Sequence, residues 1–133
     1  MIIRGPDYRF VLREIKNVRQ EPVPGRRRWF ESEQLDLIVW LNPAERMTGF
    51  QICYTKGNAE RALTWRDGTG FAHNAIDSGS HSPVSNQTPI LLPGGAAPWP
   101  LIRKLFDEAG ASLEPTLRQE IRERLLQGTV RKQ

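Results

Sequence analysis

Hydrophobic and polar positions alternate with period two along residues 8–92, and apolar positions then recur at helical spacing towards the end of the chain. Tyr8–Ile15 reads as a first strand, with Val11 and Ile15 on one face and Phe10 and Leu12 on the other. After a charged, proline-containing connection, Arg28–Ser32 is a short strand, Glu33-Gln34 a turn, and Leu35–Leu41 the strongest strand of the chain. Asn42-Pro43 ends it, because proline has no N–H to donate to a ladder. Thr48–Thr55 follows, then a turn at Lys56-Gly57-Asn58, and then Arg61–Arg66. Asp67-Gly68 is a tight-turn signal leading into Gly70–Ile76. Asp77–Gln87 reads as a polar loop, and Thr88–Leu92 as a last short strand stopped by Pro93-Gly94-Gly95.

Two helices are predicted beyond this point. Leu101, Ile102, Leu105, Phe106 and Ala109 mark the first, with Gly110 in the place of a C′ glycine. Leu113, Leu117, Ile121 and Leu125 mark the second, and Pro115 suits its first turn. Each helix has one apolar stripe, which must cover something, and the sheet is the available surface. The expected fold is α+β, an antiparallel meander with both C-terminal helices packed on one face. The 133 residues are expected to form a single domain, with 8–92 mainly sheet and 98–128 a two-helix segment.

Register then sorts residues by face. If the 42–47 connection pairs Leu41 with Thr48, then Leu37, Val39 and Leu41 share a face with Phe50, Ile52 and Tyr54, and this is the face for the helices. The other face shows Asp36, Ile38, Trp40, Gln51 and Cys53; pairing Thr55 with Arg61 adds Leu63 and Trp65 to it. The candidate ligand-binding set is therefore Asp36, Trp40, Gln51 and Trp65, with Arg61 at the rim. Aromatic rings would supply contact area and the polar groups orientation. The alternative is a sealed network beneath the first strand, in which Arg61 neutralises Asp36 and both tryptophans are buried.

Charge changes this picture in one place. The net charge is +4, but residues 1–28 carry +5, residues 29–78 carry −3 and the remainder +2. Fifteen of the nineteen bases are arginine, the side chain suited to bidentate carboxylate or phosphate contacts. Arg26, Arg27 and Arg28, followed by Trp29 and Phe30, offer an alternative nucleic-acid edge. The plainer reading is a solvated edge paired with nearby carboxylates. A single cysteine, Cys53, excludes an intrachain disulfide and suits a reducing cytoplasm. The longest aliphatic-aromatic run, Leu37 to Leu41, is far too short for a bilayer, so no membrane partner is expected.

Catalytic and metal signals are sparse. His73, Asp77 and His81 recur at fourth-residue spacing, but from a strand into a Ser/Gly loop, and a closed zinc site needs more His and Cys than the chain holds. Ser78 to Ser82 lacks the surroundings of a nucleophile elbow. Gly94-Gly95 before a helix lacks the Lys-Ser/Thr of a phosphate loop. No metal and no cofactor is expected. An enzyme reading would use His73 with Asp36, Arg61 or Cys53.

The runs Arg26-Arg27-Arg28-Trp29-Phe30, Asp36-Leu37-Ile38-Val39-Trp40, Gly49-Phe50-Gln51-Ile52-Cys53-Tyr54-Thr55-Lys56 and Glu60-Arg61-Ala62-Leu63-Thr64-Trp65 resemble a family of small bacterial proteins without an assigned activity, and Thr88-Pro89-Ile90-Leu91 extends the resemblance. It implies a bacterial cytoplasmic protein of one domain and no mechanism. The function expected from the residues is non-enzymatic binding of a small ligand or protein partner through one sheet face, a homodimer included. Nucleic-acid binding and a small enzyme are the alternatives.

Overall fold

The computed structural model describes residues 10–20, 24–56, 59–76, 91–93 and 95–131. Seven antiparallel strands follow one another in sheet order as they do in sequence: β1 (Arg13–Glu14), β2 (Arg26–Glu31), β3 (Leu35–Leu41), β4 (Met47–Tyr54), β5 (Arg61–Arg66), β6 (Gly70–Ile76) and β7 (Leu91–Pro93). Two helices close the chain, α1 (Trp99–Ala109) and α2 (Pro115–Arg131), joined through a short 3-10 turn at Gly110–Ser112. This is the expected α+β meander.

Local chemistry fixes each hairpin. Ser32 closes β2 onto β3: its N–H donates to the Leu35 carbonyl and its hydroxyl accepts from the Leu35 N–H. After β3, the Asn42 side-chain oxygen accepts from the Ala44 and Arg46 N–H groups. β3 and β4 pair Leu37 with Ile52 and Val39 with Phe50, the register the apolar pattern implies, with a bulge where the pairing shifts between Trp40 and Leu41. Gly68 (φ 84°) and Gly70 (φ 90°) supply the left-handed conformations of the β5–β6 turn.

β1 is shorter than the expected Tyr8–Ile15. Its pairing with β2 stops at Glu14, and Asn17 turns the chain at φ 62°. The segment Ile15–Gln20 then lies over the second face of the sheet. The Ile15 N–H donates to the Trp29 carbonyl, and Ile15 and Val18 pack against Trp29, Ile38 and Trp40. Tyr8 and Arg9, the loop 77–87 and the start of the expected strand at Thr88 fall outside the described residues.

The helices cover the other face. Trp99, Ile102, Phe106, Ala109, Leu113, Ile121 and Leu125 form one cluster with Leu35, Leu37, Val39, Phe50, Ile52, Leu63 and Trp65. Gly110 is not the expected left-handed C′ glycine, since its φ is −81°. It continues into the 3-10 turn, packed under the Phe106 ring. The start of the described chain is tied here too: Leu12 donates its N–H to the Ala109 carbonyl, and the Ser112 hydroxyl donates to the Leu12 carbonyl.

Candidate functional site

β5 overturns the expected single-face set. Tyr54, not Thr55, pairs with Arg61, and so Leu63 and Trp65 face the helices beside Ile52 and Phe50. Thr55 (φ 52°) and Ala59 (φ 55°) bend the β4–β5 connection, and a one-residue slip moves every β5 side chain to the opposite face. Asp36, Trp40 and Gln51 therefore share one face, and Arg61 and Trp65 lie on the other. Arg61 cannot neutralise Asp36. Lys56 does so instead, with its ammonium 2.9 Å from the carboxylate, and the Trp29 indole N–H donates to the same group at 3.2 Å.

Asp36 (4% exposed) and Gln51 (3%) are buried with their groups engaged inside the fold. The Thr64 hydroxyl donates to the Gln51 carbonyl oxygen at 2.9 Å, and the Gln51 amide points at the Cys53 sulfur. Burial pushes the Cys53 thiol up to about 12, so it is protonated and unreactive at neutral pH. Trp40 (8%) and Trp65 (7%) are buried as well. Neither indole is an open stacking platform, because each carries a guanidinium. Arg66 lies 3.8 Å from the centroid of Trp40, and Arg124 lies 4.5 Å from that of Trp65.

His73 stands apart from its expected catalytic companions. It shares the helix face with Arg61, whereas Asp36 and Cys53 occupy the reverse face. The His73 Nδ1–H donates to the Gly95 carbonyl at 3.1 Å, and the Tyr54 hydroxyl donates to Nε2. Burial pushes the Tyr54 hydroxyl up to about 12, with Arg61 opposing, so it keeps its proton. Asp77 and His81, the other proposed metal ligands, lie outside the described residues.

The Arg26–Arg28 run is largely spent within the fold. Arg26 grips Glu45 through Nε and Nη2. Arg28 reaches Glu14 at 2.7 Å and Glu114 at 3.1 Å, so it fastens β1 and the start of α2 to β2. Its hydrogen bond holds the Glu14 carboxyl below the usual range. Arg27 is buried, and its guanidinium donates to the Arg19 carbonyl.

A cleft of about 270 Å³ opens where β2, β3, β4 and β5 end together, lined by Gln20, Gly25, Arg26, Arg27, Trp40, Asn42, Thr48 and Arg66. Gly25 (φ 92°) makes its wall, because a Cβ there would sit 2.2 Å from the Leu41 carbonyl oxygen. Three arginines and no carboxylate line the cleft among the described residues. The Trp40 indole N–H, buried beside it, has no acceptor among the described residues. Sequence reasoning reached Trp40, Arg26 and Arg27 but missed Arg66. The hint available was the Trp65-Arg66 pair before the Asp67-Gly68 turn, which places an arginine at a strand end.

A scan of protein-family models, a search of curated proteins and a search of solved structures each returned no match to this chain. No helix among the described residues is long and apolar enough to cross a membrane.

Proposed function

We propose that the protein is a non-enzymatic binder of a small anionic ligand, held in the cleft at the end of β2–β5. The observation that carries this reading is Arg66. Its guanidinium is stacked on Trp40 in a carboxylate-free cleft, and no acidic side chain lies within ion-pair distance of it among the described residues. A stacked guanidinium keeps its N–H edges free for bidentate contact with carboxylate or phosphate. Asn42 adds a donor, since its oxygen is already committed to two backbone N–H groups. The cleft is small, just below the ~300–1,000 Å³ usual for ligand sites, so the fitting ligand is a compact anion. Against the nucleic-acid alternative stand the internal contacts of Arg26 and Arg28, which leave no free cationic stripe on β2.

The test is calorimetric titration with inorganic phosphate, citrate and a mixed-sequence oligonucleotide. Binding of one of the two small anions is expected, weakened about tenfold or more by Arg66→Gln, the effect of losing one charged hydrogen bond. An Arg66→Gln protein that binds as the parent does, or tight oligonucleotide binding with no small-anion binding, defeats the proposal.

A further inference from the structure

On the opposite face of the sheet a second cleft, of about 290 Å³, lies where β5 and β6 end against α1 and α2. Its apolar walls are Trp65, Phe71 and Trp99, and its one charged lining group among the described residues is Arg124. Phe71 stands edge-on to Trp99 with centroids 5.1 Å apart at 87°, and Phe50 stacks on Trp65 behind them. Gly128 lets α2 approach this closely, because a Cβ there would lie 2.5 Å from the Trp99 ring and 2.8 Å from Phe71. β7 pairs only with Asn74–Ile76, so this end of β6 has no outer strand among the described residues.

We infer that this cleft is a site for a small organic acid with a flat apolar body, its carboxylate against Arg124 and its body against Trp99 and Phe71. The chemistry of the walls sets the class. Aromatic faces favour a flat apolar group, and edge-to-face contacts suit an aromatic one. Arg124 rests over Trp65, touches only the Gln127 side-chain oxygen at 3.3 Å, and has no carboxylate partner among the described residues. Buried beside apolar walls, a carboxylate requires such a partner, while a neutral analogue leaves the guanidinium unused. Among the described residues Arg124 is the one cation lining the cleft, so a monoanion matches its charge. This site is independent of the Arg66 cleft.

The experiment follows the indole N–H resonances of Trp65 and Trp99 in 15N-labelled protein during titration with 3-phenylpropionate, 3-phenylpropanol and acetate. Both indoles are expected to shift with 3-phenylpropionate at a Kd below about 1 mM, with the alcohol about tenfold weaker and acetate weaker still. Arg124→Gln should bring the acid down to the level of the alcohol, while Arg124→Lys retains most of the difference and Arg66→Gln changes nothing. Persistent alcohol binding in Arg124→Gln shows that the cleft is intact in that variant. The inference is overturned if 3-phenylpropionate shifts neither indole, if acid and alcohol bind alike, or if Arg66→Gln rather than Arg124→Gln removes binding.

Discussion

Trp65 and Arg66 are chain neighbours on β5 that face opposite sides of the sheet, and each forms half of a cation–indole pair with a distant partner. Trp65 receives Arg124 from α2, and Arg66 covers Trp40 of β3. One strand end thus contributes to both clefts. The arrangement depends on the Tyr54–Arg61 pairing that sets which face each residue takes.

Arg66 is exposed and its cation–π contact is at the surface, so its stability contribution should be small. Arg66→Gln is expected to cost under about 1 kcal/mol in urea unfolding. A larger loss would mean that weakened anion binding in this variant reports damage to the fold.

Lys56 and Asp36 should respond unequally to truncation. Removing Asp36 leaves Lys56, a quarter exposed, free to turn to water, whereas removing Lys56 leaves a carboxylate 6% exposed without its cation. Lys56→Met is expected to cost about 3–5 kcal/mol at pH 8, and Asp36→Ala less. Urea midpoints of both variants at pH 8 check the order, and a loss in Asp36→Ala as large as that in Lys56→Met would contradict it.

Gly128→Ala should destabilise, although alanine is favoured over glycine in a helix by about 1 kcal/mol. The added methyl would meet the rings of Trp99 and Phe71 at 2.5 and 2.8 Å, and overpacking of this kind costs roughly 1–3 kcal/mol. A thermal scan showing a higher Tm for Gly128→Ala would contradict the close approach of α2 to Trp99.

Cys53 and Tyr54 make stability fall at high pH. Their folded values are raised to about 12 from 9.0 and 10.0, so the unfolded chain loses these protons first. The contribution is complete below about pH 9 and is lost as pH rises towards 12. Cys53→Ala should flatten the pH 9–10 part of this decline. Iodoacetamide should label Cys53 only when the chain unfolds, and fast labelling of the native protein at pH 8 would refute the buried thiol.

Strand and helix identity was legible in the sequence, because period-two and helical spacing of apolar residues are properties of the chain itself. Leu35–Leu41, Arg61–Arg66 and Gly70–Ile76 have their expected limits, and the Val39–Phe50 register follows from matching two apolar faces. The face of β5 was not legible. Leu63 and Trp65 alternate equally well in either register, and the backbone path between β4 and β5, left-handed at Thr55 and Ala59, chooses between them. That choice separates Trp65 from Trp40 and sends Arg61 away from Asp36. Gln20, Arg66 and Arg124 come to line the two clefts only through tertiary placement. Alternation tells which residues share a face within a strand, but the backbone path between strands decides which face it is and what meets it across the fold.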